Sequence, residues 1–232
     1  MPTPLGHSLA GLILAKALSP RGEKIPWPLM AGAVLVSLAP DGDNLPVKLY
    51  GIDTWHREWT HALAVAPAAG LACALLALPF NRSPVGRAFV LGLLAWVAHI
   101  GLDCLSSLTG PKLLLPWSDE RFLSPLHLLP VVEPHIGSLF FNAVGVLCET
   151  LIFGLPLLAL MDRRSTRRGP GWGLAWIFWA MILMGSYRQG EIRMSLFGRD
   201  GTQEGAMPWY EKNLDQLTPL HCALFIEAAP PT

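Results

Sequence analysis

The sequence predicts an all-α membrane protein, a polytopic helical bundle of about six hydrophobic helices, and three observations carry that prediction. The 232 residues are 52% hydrophobic and only 15% charged, with a mean hydropathy of +0.41. Soluble domains carry about 25% charged residues, so the deficit points to a chain solvated mostly by lipid. Apolar runs recur along the chain between turn-rich polar loops. Glycine (22) and proline (21) are both frequent, and membrane helices tolerate them better than soluble helices do. The net charge of zero gives no support to a nucleic-acid partner held by bulk electrostatics.

The apolar runs are Leu5–Ser19, Pro28–Ala39, Ala62–Phe80, Ala88–Leu108, Ile136–Met161 and Gly171–Tyr187. The third, fourth and fifth are long enough to cross a core of roughly 30 Å at about 1.5 Å per residue, and the sixth is at the lower limit. The first two are short, so they either tilt, thin the bilayer locally or form a re-entrant hairpin. Residues 1–187 therefore form one membrane-embedded domain, and 188–232 form a polar tail. The start lacks a basic region and a small-residue cleavage site, so the first helix is expected to be retained. Cys73, Cys104, Cys148 and Cys222 are too far apart for a zinc finger or a disulfide framework.

Lysine and arginine assign the sides. Loops after the first, third and fifth segments carry Lys16, Arg21, Lys24, Arg82, Arg87, Arg163, Arg164, Arg167 and Arg168. The short loops on the other side carry Lys48, Arg57, Lys112 and Arg121, and the tail on that side adds Arg188, Arg193, Arg199 and Lys212. The Arg163–Arg168 cluster is the strongest vote, so that loop is placed in the cytoplasm. Both termini then lie outside, which in a Gram-negative cell is the periplasm.

Placed on this map, the histidines and acids converge. His7 lies at the outer end of the first segment, and Asp41 and Asp43 follow the second in Ala39-Pro40-Asp41-Gly42-Asp43. His56 and His61 lead into the third. His99 and Asp103 share one face of the fourth, four residues apart. All fall on the same side at similar depth, although the topology rests on Lys and Arg alone. Such a set suits a divalent cation, which needs several nitrogen or carboxylate donors held together and lets close carboxylates coexist. A cation lowers the pKa of a bound water to near 7, and two cations clamp a phosphoester.

Each residue also has a plainer role. His7 can snorkel or cap, Asp41 and Asp43 can be turn residues, and His56 can be a solvated loop histidine. His61 begins an apolar helix, where burial is costly. His99 and Asp103 can form a pair that only locks helix packing, yet ionisable residues inside a span are functional candidates by default. Glu149, within the fifth segment, is a lesser candidate. Glu133, His127, His135 and His221 lie on the outer side as well.

The ordered motifs Gly6-His7-Ser8, Pro40-Asp41-Gly42-Asp43, His56-Arg57-Glu58-Trp59-Thr60-His61, His99 to Asp103, Pro116-Trp117-Ser118-Asp119-Glu120-Arg121-Phe122 and Glu133-Pro134 span roughly residues 4 to 161. Together they resemble the YdjM-like family of inner-membrane metal-dependent hydrolases, which is associated with LexA regulation. Ala39, Ala62 and Glu133 depart from the family pattern, which has Leu, Ser and Asp there. The resemblance implies an inner-membrane, multi-pass protein and supports metal binding more than any particular substrate.

The leading expectation is a hydrolase at the outer membrane–water boundary. His7, Asp41, Asp43, His56, His61, His99 and Asp103 supply ligands to one or two zinc, manganese or iron ions. Asp43 or Glu58 acts as general base, and Arg57 and Arg121 bind an anionic group. A membrane lipid or a lipid-linked phosphoester is the expected substrate. The alternatives are a non-enzymatic protein that binds a cation, and a structural or assembly protein with a vestigial site.

Overall fold

The computed structural model describes residues 3–20, 25–45, 57–79, 85–106, 110–122, 139–161 and 175–186. These residues form α-helices and 3-10 turns joined by short irregular segments, with no strand among them. The helices are α1 (Pro4–Ala17), α2 (Trp27–Leu38), α3 (Ala66–Ala77), α4 (Val85–Ser106), α5 (Leu139–Met161) and α6 (Ala175–Ser186). Each falls on one of the six apolar runs. The tail from Arg188 onward lies outside the described residues.

Local chemistry sets the helix ends. Thr3 caps α1, its hydroxyl accepting from the Gly6 N–H at 3.3 Å, and Pro4 opens the helix where a missing N–H costs nothing. Lys16 sits in the last turn of α1, where it complements the carbonyl end of the helix dipole. Pro40 cannot donate to the turn before it, so α2 stops at Leu38 and tightens into a 3-10 turn over Ala39–Asp43. That turn folds Asp41 and Asp43 back toward the bundle.

The third apolar run differs from its sequence expectation. Trp59–His61 and Leu63–Val65 are 3-10 turns, and regular α-helix runs only over the 12 residues Ala66–Ala77, with Pro67 in its first turn. Proline suits a helix start and not an interior, so the α3 hydrogen-bond ladder cannot extend smoothly back to Ala62. Among the described residues two helices are long and apolar enough to cross a membrane, α4 with 22 residues and the 19-residue stretch Ala143–Met161 of α5.

The described residues expose many large apolar side chains and bury several ionisable ones. Large apolar side chains face outward, among them Leu71, Leu75 and Leu76 on α3, Leu147 and Leu158 on α5, and Ile177, Phe178 and Met181 on α6. His7, His61, His99, Asp103 and Glu149 are among the most completely buried side chains. Between helices the buried residues are small. Ala66, Ala69, Gly70 and Ala74 of α3 are buried, as are Ala88, Gly92 and Ala95 of α4, and the two helices lie closely side by side. At the α1–α2 crossing a Cβ on Gly11 would stand 2.2 Å from Ser37 Oγ and 2.7 Å from the Ala33 carbonyl oxygen, so only glycine permits this approach. Beside it, Ala15, Ala33 and Leu91 form a core that joins α1, α2 and α4.

Candidate metal centre

The ends of four helical segments bring the site together: the start of α1, the turn after α2, the 3-10 turn before α3 and the last turns of α4. Asp41, His61, His99 and Asp103 each offer a ligand atom, and these atoms all lie within 4.8 Å of one another. His61 Nε2 stands 3.1 Å from Asp103 Oδ2 and 3.7 Å from Asp41 Oδ1. His99 Nε2 stands 3.6 Å from Asp41 Oδ1, 3.8 Å from Asp103 Oδ2 and 3.2 Å from His61 Nε2. His7 comes in from α1, with Nε2 3.5 Å from Asp103 Oδ1 and 4.0 Å from Asp41 Oδ2. The side chains of His7, His61, His99 and Asp103 have no exposed surface, and that of Asp41 is 15% exposed, so the way in lies on the Asp41 side.

Neighbours fix the rings. His99 Nδ1 lies 2.7 Å from the Ser37 carbonyl oxygen. That oxygen can only accept, so Nδ1 carries the proton and the Nε2 lone pair faces the cluster. His61 is held from behind. Its Nδ1 is 2.9 Å from Thr60 Oγ1 and 3.6 Å from Asp43 Oδ2, which leaves Nε2 directed at Asp41 and Asp103. Asp43 Oδ2 also accepts the Thr60 hydroxyl and the Arg57 backbone N–H. Arg57 adopts a φ of 63°, the left-handed turn that aims this N–H at Asp43. The Trp96 indole donates to the Thr60 carbonyl at 3.0 Å and ties the turn to α4.

The donor set fits a cation. Both oxygens of Asp103, Asp41 Oδ1 and both nitrogens of His7 are buried without a hydrogen bond of acceptable geometry. Buried polar atoms are nearly always satisfied, and two close carboxylates repel unless positive charge sits between them. In the metal-free state a proton takes that place. Burial works against charge on His61, but Asp103, Asp41 and Asp43 outweigh it and push its pKa up to about 10. Burial likewise works toward a neutral Asp41, but His61 and His99 outweigh it and hold the carboxyl well below the usual carboxylate range.

The structure thus gathers five of the sequence candidates, His7, Asp41, His61, His99 and Asp103. It places Asp43 behind His61. Glu58 is ion-paired with Lys112 at 2.8 Å and lies 3.9 Å from Arg121, whose Nη1 donates to the Gly110 carbonyl. Backbone bonds from Lys112 to Arg57 and from Leu63 to Leu113 fasten the segment 110–122 over the turns that carry His61. His56, His127, Glu133, His135 and His221 lie outside the described residues.

Glu149 has a definite partner. Its carboxylate accepts the Thr3 backbone N–H at 2.8 Å and 3.0 Å and also the Thr3 hydroxyl. A Cβ on Gly6 would meet the Glu149 carboxylate, so a larger residue there would have to displace that side chain from Thr3. Sequence reasoning missed the Ser37 carbonyl and Thr60 as ring-orienting groups. A carbonyl carries no residue signature, but Thr60, inside the His56–His61 motif and adjacent to a ligand, could have been found.

The family model described as "YdjM inner membrane protein" matches residues 1–192. "Inner membrane protein YbcI" of Escherichia coli (strain K12) is 29% identical over 177 residues, which cover 72% of this chain and 99% of that relative. No solved structure matches. The match of the family model takes in all five clustered donors and every described helix, and the chain belongs to the YdjM inner membrane protein family.

Proposed function

We propose that the protein is a multi-pass inner-membrane hydrolase that depends on a divalent metal, with its centre at the periplasmic membrane–water boundary and a lipid or lipid-linked phosphoester as substrate. The observation that carries the metal reading is the group of Asp41, His61, His99 and Asp103, with ligand atoms within 4.8 Å of one another and with Asp41 Oδ1 and both Asp103 oxygens buried without a hydrogen bond. The distribution of Lys and Arg supports six crossings with both termini outside. Trp59 and Trp117, 56% and 79% exposed, lie at the site's end of the bundle and suit an interfacial belt.

A bound divalent cation supplies a Lewis acid that polarises a phosphoryl oxygen and makes water a better nucleophile near neutral pH. The chain's own groups do the rest. His61 and His99 present neutral Nε2 donors, Asp41 and Asp103 balance the charge, and Asp43 and the Ser37 carbonyl hold the two rings in place. Lys112 and Arg121, now facing Glu58, take the anionic phosphate, and Arg57 adds its charge nearby. A phosphate bound there replaces Glu58 as their partner, and the released carboxylate accepts a proton from the attacking water. Burial of the donors keeps bulk water from competing.

The test is elemental mass spectrometry on the detergent-purified protein beside a His61→Ala/Asp103→Ala variant, followed by assays of lipid-phosphate cleavage. We expect metal in the parent, none in the folded variant, and cleavage that follows the metal. A parent that takes up no metal even when supplemented would sink the metal reading. A metal-loaded parent that cleaves no lipid phosphoester would sink the substrate class.

A further inference from the structure

The carboxylates of Asp41 and Asp103 each divide their two oxygens between different histidines. Asp41 turns Oδ1 to His61 and His99, at 3.7 Å and 3.6 Å, and Oδ2 to His7 at 4.0 Å. Asp103 turns Oδ2 to His61 and His99, at 3.1 Å and 3.8 Å, and Oδ1 to His7 at 3.5 Å. His7 stands apart from the tight group formed by the other four residues. It is nevertheless buried, and neither of its ring nitrogens has a hydrogen-bond partner. A histidine that only packed helices would be expected to bond at least one nitrogen.

From this partition we infer that the centre takes two divalent cations, with Asp41 and Asp103 bridging them and His7 serving as the private ligand of the second. The inference rests on the metal reading above and adds the count, the bridges and the role of His7. The first cation is held by His61, His99, Asp41 Oδ1 and Asp103 Oδ2. The second is held by His7, Asp41 Oδ2 and Asp103 Oδ1, three protein donors, so it retains open positions for solvent or substrate.

The ring geometry sets a suitable spacing. His7 and His99 are stacked, with centroids 3.9 Å apart and planes 21° from parallel, and both Nε2 atoms face the same two carboxylates. Cations lying in the planes of two such rings are held roughly one ring spacing apart. Paired metals in hydrolytic centres stand about 3.5–4 Å apart, close enough for one phosphate to span both. The second cation also lies on the α1 side, so its ligand His7 depends on the seam where Thr3 meets Glu149.

The experiment uses the full chain in detergent, loaded with Mn²⁺ and freed of excess by gel filtration. Metal content is measured by elemental mass spectrometry and metal–metal coupling by electron paramagnetic resonance, for the parent and for His7→Ala. The expected result is two equivalents with an exchange-coupled spectrum in the parent. His7→Ala should hold one equivalent with an isolated-ion spectrum. One equivalent in the parent overturns the two-cation inference and leaves the metal reading standing. Two equivalents without coupling overturn the bridging roles of Asp41 and Asp103, and none overturns both readings. Should His7→Ala fail to fold, the parent's spectrum decides alone.

Discussion

His61 joins the two halves of the site, with Nδ1 on the Asp43–Thr60 side and Nε2 on the ligand side. Its pKa of about 10 in the metal-free protein makes a proton the competitor of the cation. A raised folded-state pKa stabilises the metal-free protein fully below the unfolded value of about 6.5 and loses that contribution as pH rises through about 10. Cation binding runs the other way. Each pH unit downward from 10 costs about tenfold in apparent affinity where one proton is displaced. Calorimetry in two buffers of different ionisation enthalpy should show about one proton released from His61 per protein molecule as the centre fills at neutral pH. An uptake enthalpy that does not depend on the buffer would contradict this. The clustering of His99 and Asp103 was legible because both are costly inside an apolar run and stand on one helix face. The orientation of the His99 ring was not, since it depends on a carbonyl of α2 that is 62 residues from His99.

At the scale of elements, α1 is held at its first turn to the middle of α5. Gly6→Ala would force its new methyl against the Glu149 carboxylate and should cost about 1–3 kcal/mol, as overpacking does in well-filled interiors. Glu149→Ala would strip the Thr3 N–H and hydroxyl of their acceptor, with a loss of about 1–3 kcal/mol for groups left unsatisfied. Both should lower the detergent unfolding temperature. The double variant should lose less than the two together, because the residues share one contact. Strictly additive losses would show that the seam is not one contact. The apolar runs were readable as helices from length and composition. The turns before α3 were not, because Ala62–Phe80 is apolar throughout and hydropathy does not separate a 3-10 turn from an α-helix. Pro67 was the local clue, a residue that opens helices more readily than it continues them.

For the whole molecule, apolar surface outside and a histidine–carboxylate group inside belong to one design. The small-residue seams between α3 and α4 and between α1 and α2 let backbones approach closely enough for short side chains to meet. The sidedness can be tested at Asp119, whose side chain is 86% exposed in the segment that covers the site. In a background with Cys73, Cys104, Cys148 and Cys222 replaced by alanine, Asp119→Cys should react with a membrane-impermeant maleimide added to intact spheroplasts. Labelling only after lysis would place the centre in the cytoplasm and reverse the orientation read from Lys and Arg.

The donors are strung along the chain from His7 to Asp103, and of the five only His99 and Asp103 share a helix. During biogenesis the start of α1 and the turn after α2 carry His7, Asp41 and Asp43 into place well before α4 has been synthesised. Closure of the cluster is therefore a late event, and it coincides with the docking of α4. A cation taken up there would report that α4 has docked. A misdocked α4 would part His99 and Asp103 from His7, Asp41 and His61.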